Sequence, residues 1–365
     1  MRINPAAMLK PPAPVAVASH MRHLSVPSKE TATWREKLAS KGWLAEGCGI
    51  HQLGKMRGIP LSSNAPHIIE KFEIIELEPL NQGSRHWMEQ LPRDLYIQYK
   101  DEWPMSHDRI GDIVILKIPE TIEQYSEIIG HAILSQHSSV RLVCADYGVK
   151  GEFRVRELIP IISRNGDLST RTRVSEHGNK FIVDPSAVYY SPRLATERRG
   201  NLATATNLKQ LLGRPLVVCD PYAGVGPGLI SLLGEPDLIS KIIASDINPK
   251  AVGLLQTNLP ENTWIDCCDA RTLHLQHPEI VDFLLVNLPH DSIAHLPDLL
   301  PLMAKNHPVV IRCWAILQND KLDETELQIR NHLEGAEVHL LKLTPTRSYS
   351  PTESYTCVEV QITLL

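Results

Sequence analysis

The sequence predicts an α/β chain. Its second half, about residues 201 to 365, reads as a Rossmann-like domain on a seven-stranded mixed sheet, preceded by a smaller α+β domain. Three observations predict this. The apolar run from Leu216 to Asp220 gives way at once to Gly224, Gly226 and Gly228, and then to the helical pattern Leu229 to Leu233. Two further apolar runs end in acids, at Asp246 and Asp269. Two strand-like segments, V-H-L-L-K-L and T-C-V-E-V-Q-I-T-L-L, close the chain as a reversed edge hairpin would.

A strand, a glycine turn and a helix present bare backbone N–H groups at the strand's carboxyl edge. Alone the turn is unspecific, because dinucleotide enzymes share it. The downstream residues narrow the choice. K-I-I-A-S-D-I, residues 241–247, puts Asp246 where a carboxylate accepts hydrogen bonds from both hydroxyls of a ribose, with Ile247 beside it. Asn248-Pro249 then opens a helix with an asparagine cap and proline at its first position. T-W-I-D-C-C-D places Asp269, followed by Ala270, where an acid meets an adenine amino group. F-L-L-V-N-L-P places Asn287 and Pro289 where a methyl acceptor would lie. This order fits the class I S-adenosylmethionine (SAM) methyltransferase sheet better than a hydride-transfer enzyme. SAM is therefore the expected cofactor, bound by Asp220, Ala223, Gly224, Gly226, Asp246, Ile247, Asp269, Ala270 and Asn287. The plainer alternative is that Asp246 and Asp269 only cap helices.

Composition bounds the rest. A chain of 365 residues holds two or three domains with ample apolar content. Seven cysteines, mostly in predicted strands and with no C-x-x-C pair, point to buried thiols in a reducing compartment rather than to zinc or disulfides. Cys267 and Cys268, adjacent in one predicted strand, would face opposite ways and cannot share a metal. Sixteen histidines form no H-x-x-x-H or H-E-x-x-H pair, so no metal is expected. No stretch approaches the roughly 20 apolar residues of a membrane span. The net charge of −5 does not announce a nucleic-acid partner, but the local balance does. Ten basic and six acidic residues lie between Lys150 and Arg199, and phosphate contacts need local charge. A solvated strand face is the competing reading for Arg164, Arg171 and Arg173.

The chain reads as four zones. Residues 1–30 lack acids apart from Glu30 and read as a disordered tail; four basic residues are few for an organellar signal, and a cytoplasmic protein is expected. Residues 31–104 start with a helix-like T-A-T-W-R-E-K-L and are otherwise unassigned. The middle domain, 105–200, carries the strand I-G-D-I-V-I-L-K-I-P, a helix from Glu120 to about Ser135, and the strands R-L-V-C-A-D and E-F-R-V-R-E-L-I-P-I-I. The Rossmann-like domain spans 201–365, with a late strand V-V-I-R-C-W-A-I-L and a helix from Asp323 to Leu333.

In order, I-G-D-I-V-I-L-K-I-P, G-E-F-R-V-R-E-L, E-H-G-N-K-F-I-V-D-P-S, V-Y-Y-S-P-R-L-A-T-E-R, D-P-Y-A-G-V-G-P and V-N-L-P closely resemble the archaeal and eukaryotic tRNA (guanine-37-N1)-methyltransferase family, over about residues 105 to 365. The resemblance implies methylation of N1 of the guanosine 3′ of the anticodon, tRNA as partner, and a monomer. It also implies Arg154, Glu197, Asn287 and Pro289 as catalytic residues, and Arg193 near the cofactor. The chemistry agrees: attack by N1 needs a base for its proton and a place for charge to grow on O6. A partly buried Glu197 can take the proton, and Arg154 can stabilise the oxyanion. Glu197 could instead pair with Arg198 or Arg199. Alternation along E-F-R-V-R-E-L puts Arg156 on the face of Arg154, as its substitute.

Departures from the family pattern are H-D-S-I-A-H after N-L-P, a shortened segment from Asn258 to Asp266, and no recognisable tRNA-elbow domain in 31–104. Two other classes compete. A sister enzyme of wybutosine synthesis transfers the 3-amino-3-carboxypropyl group of SAM, or a methyl, to a tricyclic base at the same position. A non-catalytic tRNA-binding module is the other, and the intact D-P-Y-A-G-V-G, Asp246, Asp269 and N-L-P speak against it.

Overall fold

The computed structural model describes residues 20–45, 47–80, 86–151 and 153–365, so the first nineteen residues of the expected tail and Glu152 lie outside it. The chain divides into two compact units, residues 1–105 with 118–143, and residues 106–117 with 144–365.

In the first unit, β1 (Met21–Pro27), β2 (His51–Leu53), β3 (Met56–Pro60) and β4 (Ile74–Leu77) form an antiparallel sheet in the order β2-β3-β1-β4. The tail expected up to residue 30 therefore ends earlier. Met21–Pro27 is an inner strand, because Leu24 and Val26 gain a core with Trp34, Leu38 and Ile59 while the strand's amides find partners on both sides. T-A-T-W-R-E-K-L is helical as expected, Thr31–Ser40. The helix expected from Glu120 is a 3₁₀ turn, Glu120–Tyr125, running into an α-helix, Ser126–Gln136.

The strands β5 (Asp108–Ile110), β6 (Ile113–Leu116), β7 (Leu142–Lys150) and β8 (Val155–Ser163) make a second sheet in that order. A two-stranded hairpin comes next, β9 (Thr172–Glu176) and β10 (Asn179–Val183). Its tip, His177-Gly178, has φ of 50° and 89°, the two positive values that a tight two-residue hairpin turn requires.

The large sheet holds β11 (Leu216–Asp220), β12 (Ile239–Ser245), β13 (Trp264–Asp266), β14 (Phe283–Val286), β15 (Pro308–Gln318), β16 (Glu337–Ser348) and β17 (Glu353–Thr363), ordered β13-β12-β11-β14-β15-β17-β16. The first five strands are parallel and the closing hairpin runs antiparallel, so the seven-stranded mixed sheet is as the sequence predicts. Its inner strands are apolar on both faces, with Val218, Cys219, Phe283 and Leu284 fully buried. β13 is shorter than expected and ends at Asp266, leaving Cys267 exposed and Cys268 half-buried beyond it. All seven cysteines are free. Among the described residues no helix is long and apolar enough to cross a membrane, and no cluster of three metal-ligating side chains occurs.

The helix Ala195–Leu212 leads from the hairpin into the large sheet. Its buried face, Arg198, Asn201, Ala205 and Leu208, follows helical spacing, and Gly213 ends it in the left-handed conformation. Small residues let it dock: a side chain at Gly200 would strike the Arg312 guanidinium, which donates to Thr204 at 2.8 Å and pairs with Glu359 at 3.4 Å. Its first turn is held by a buried ion pair. Arg198 Nε and Nη2 each donate to a Glu176 oxygen at 2.6 Å, Nη2 also donates to the Ser191 carbonyl at 3.1 Å, and the Tyr190 hydroxyl completes the Glu176 shell at 3.1 Å. Removing one member strands the other charge in the core. Arg198→Ala is expected to cost about 3–5 kcal/mol in urea denaturation, and replacing Arg198 and Glu176 together by methionine markedly less. Equal losses in the two variants would show that packing, not charge, holds this turn.

Candidate active site

Chain order reverses at β11: β12 and β13 continue to one side of it, while β14 lies on the other. Crevices form beyond the carboxyl ends of strands at such a point. Here the cleft is lined by Glu197, Arg198 and Asn201 from the helix, Asp220 at the end of β11, Tyr222 and Ala223 from the turn after it, Gly228 from the short helix that follows, and Leu285, Asn287, Trp314 and Tyr355.

The glycine turn is braced from behind. Ala223 N–H donates to the Ser245 carbonyl at 2.9 Å and Gly226 N–H to the Ala223 carbonyl at 2.8 Å. Asp246 Oδ2 accepts from Gly224 N–H at 2.8 Å, and its Oδ1 from Asn248 N–H at 2.8 Å. Asp246 thus bridges the turn to the start of the next helix, whose cap is Asn248 itself, accepting from Lys250 N–H. Burial raises its carboxyl pKa, against the two backbone donors. Gly224 and Gly226 both have positive φ, 57° and 86°. At Gly226 the tight neighbour is protein: a Cβ there would lie 2.9 Å from Leu255 Cδ1 and 3.3 Å from Leu259 Cδ2. The glycine expected to admit a ligand is needed for helix packing, so loss of binding in a valine variant would not by itself identify a ligand site.

Asp220 is fully buried. Its Oδ1 accepts from Tyr222 N–H at 3.2 Å, and burial, assisted by the nearby Asp246, pushes its carboxyl up to about 7. On the β14 side, the Tyr355 hydroxyl donates to Asn287 Oδ1 at 3.1 Å, so the amide is turned to offer its NH₂. Burial raises the Tyr355 pKa and keeps it a donor. The Pro289 carbonyl is pinned by Ile316 N–H at 2.8 Å. Glu197 is half-buried, and Arg198 spends its guanidinium on Glu176, so the alternative Glu197–Arg198 pair is not formed.

The structure brings Glu197, Asn287, Asp220 and Ala223 to one cleft and ties Gly224 and Asp246 to its wall. It places other expected residues elsewhere. Arg154 lies in the turn before β8, exposed, with φ of 51° and its N–H on the Gly151 carbonyl at 3.2 Å. The expected strand alternation therefore starts one residue too late to include it. Arg156 is no substitute, being held by Asp108 at 2.8 Å and Asp146 at 3.3 Å. Arg193, on the turn Pro192–Leu194, donates to the other Asp108 oxygen at 2.6 Å and does not line the cleft. Asp269 caps the turn Ala270–Leu275 and binds Arg271 at 2.6 Å, which lowers its pKa; here the helix-cap reading describes the geometry seen. Ile247 is exposed and Ala270 buried.

Sequence reasoning missed Asn201, Tyr222, Trp314 and Tyr355. The first was accessible, because it stands four residues after Glu197 and so on the same helix face. Tyr222 gives purpose to the unusual H-D-S-I-A-H segment, since its hydroxyl meets His295 Nδ1 at 2.7 Å.

Asp220 has a measurable consequence. Its folded pKa lies near 7 and its ordinary value at 3.8, so the unfolded chain releases the proton first. Its contribution to stability is fully present below pH 3.8, is lost as pH rises from there to about 7, and then levels off. Asp220→Asn should flatten the fall in Tm across that window relative to the parent. An unchanged slope would contradict the buried acid.

A family model described as the TRM5/TYW2 methyltransferase domain matches residues 172–331, and one described as the TYW2 N-terminal domain matches residues 88–162. The chain is 32% identical over 284 residues to the tRNA (guanine(37)-N(1))-methyltransferase Trm5b of Pyrococcus abyssi, an alignment covering 74% of this chain and 78% of that one. The crystal structure of Trm5b from Pyrococcus abyssi superposes with a TM-score of 0.65 at 28% identity, over 94% of this chain and 100% of that chain. A complex of aTrm5 with tRNALeu gives a TM-score of 0.63 at 26% identity, over 93% and 99%. With its cleft at the reversal point of the sheet and these matches across both units, the chain belongs to the TRM5/TYW2 methyltransferase family.

Proposed function

We propose that the protein methylates N1 of guanosine 37 in tRNA, next to the anticodon, with SAM as methyl donor. The observation that carries this reading is the convergence of Glu197 and Asn287 beside Asp220 and the braced glycine turn. The residues fit the cofactor. Asp246 stands just after β12, where ribose hydroxyls reach its remaining lone pairs. When bound, SAM supplies an electrophilic methyl on a sulfonium sulfur.

The chain then has three tasks. The Glu197 carboxylate takes the N1 proton as the new N–C bond forms. The Asn287 NH₂, oriented by Tyr355, donates to an acceptor on the base edge. Pro289, its carbonyl held by Ile316, keeps that loop from drifting. Asp269 reaches an adenine amino group by giving up part of its Arg271 contact. The protein acts as a monomer, without a metal, in the cytoplasm.

Positive charge for the RNA lies outside the cleft. Of the ten basic residues from Lys150 to Arg199, only Arg198 is buried, and Lys150, Arg154, Arg164, Arg171, Arg173, Lys180, Arg193 and Arg199 are exposed. A second reading draws on the match of residues 88–162 to the TYW2 N-terminal domain: transfer of the aminocarboxypropyl group. Incubation of unmodified tRNA, and of tRNA carrying the tricyclic base at position 37, with SAM labelled on either the methyl or the carboxypropyl carbon decides between them. Methyl label on guanosine 37 is expected; carboxypropyl label on the RNA would select the second reading, and no label in either case would reject both.

Two variants test the assigned roles. Glu197→Gln keeps size and polarity but not basicity, so kcat should fall by roughly 10²–10⁴ while SAM affinity in calorimetry is retained. A kcat within about twofold of the parent would remove Glu197 from the chemistry. Arg154→Ala separates two uses of an exposed guanidinium. If it meets developing charge on O6, kcat falls by roughly 10²–10³. If it meets phosphate, tRNA affinity falls and the salt slope of binding drops by about one.

A further inference from the structure

Asn201 is an anomaly on its helix. It is fully buried, on the face otherwise given to Arg198, Ala205 and Leu208, yet among the described residues neither Oδ1 nor Nδ2 has a hydrogen-bond partner. Arg198 on the same face satisfies its guanidinium with Glu176 and Ser191, so poor local packing does not explain the orphaned amide. A buried amide left unpaired is a standing cost to the fold, and such groups are retained where something else pairs with them.

The surroundings say where that partner stands. Asn201 lines the cleft together with Asp220 and Gly228. A Cβ built on Gly228 would lie 3.2 Å from Asp220 Oδ2 and 3.8 Å from Asn201 Nδ2. The point that only a glycine at 228 leaves free is therefore flanked by a carboxyl oxygen, an amide NH₂ and Leu285 Cδ1, the last at 3.5 Å. The order of strand ends identifies which part of the cofactor reaches it. Asp269 follows β13, Asp246 follows β12, Asp220 ends β11, and Asn287 follows β14. With adenine and ribose at the first two, the remaining polar group, the amino-acid end, falls at β11 beside the acceptor site.

We infer that Asn201 is a positioning residue that holds the α-carboxylate of the cofactor's amino-acid end, its NH₂ donating to that carboxylate while Asp220 and Asn201 Oδ1 accept from the α-ammonium. The inference rests on SAM being the cofactor. A neutral amide suits the task, because it donates to the carboxylate without repelling the ammonium beside it.

The test is direct binding to the full-length protein, with no turnover, using S-adenosylhomocysteine, SAM, and 5′-methylthioadenosine, which lacks the amino-acid end. In Asn201→Ala, affinity for the first two should drop by about tenfold or more while that for methylthioadenosine changes by less than about twofold. Asn201→Asp, which puts a negative charge against the carboxylate, should lose more than alanine for the same two ligands. Because the unliganded amide is unpaired, Tm of the free alanine variant should not fall. Unchanged affinity for S-adenosylhomocysteine, or equal losses for it and methylthioadenosine, would overturn the assignment while leaving the cofactor reading standing. A parent protein that binds none of the three would overturn that reading as well.

Discussion

The geometry of the cleft depends on the buried Glu176–Arg198 pair. Arg198 lies between the two other cleft residues that its helix supplies, Glu197 before it and Asn201 after it, so whatever fixes its guanidinium fixes the helix phase. Glu176 sits at the end of β9, next to a hairpin turn that only positive φ at His177 and Gly178 can make. The pair thus locks the hairpin, the Tyr190-Ser191 segment and the helix start into one body. Asn258 fastens the same hairpin to the glycine turn: it exchanges hydrogen bonds with Ile182 at 2.8 and 2.9 Å and donates to the Val225 carbonyl at 3.0 Å. The base role proposed for Glu197 needs this kind of support, because proton transfer tolerates little misplacement.

The parallel-strand half of the site was legible in the sequence because each of its features is local. An apolar run ending in Asp220, glycines with positive φ and an Asn-Pro helix start each follow from a few consecutive residues, and the structure finds them at or within two residues of the expected places. The arginines were not legible for the same reason. Arg154 and Arg156 differ in role because β8 begins between them, at Val155, which alternation cannot reveal. Arg193 and Arg156 are both engaged by Asp108, a residue 85 positions from Arg193 in the chain. The opening strand was hidden differently: Met21–Pro27 has no alternation because Leu24, Ser25 and Val26 are buried together, and that is a property of an inner strand, not of its composition.

Charge separates the two substrates. Asp220 and Glu197 line the cleft and Asp246 braces its glycine turn, while Arg198 beside them is neutralised by Glu176. Such a wall attracts a sulfonium and an ammonium and repels phosphate. The exposed basic residues between Lys150 and Arg199 have the opposite preference. A small cation is therefore drawn to the strand ends while a polyanion is kept at the surface, and only an uncharged group, such as a base turned out of its stack, passes from one field to the other without electrostatic cost. Deprotonating that base inside an acidic wall would be unfavourable were the proton not taken in the same step that neutralises the sulfonium. The wall thus favours a reaction in which proton loss and methyl transfer are coupled, which is the coupling that the role proposed for Glu197 requires.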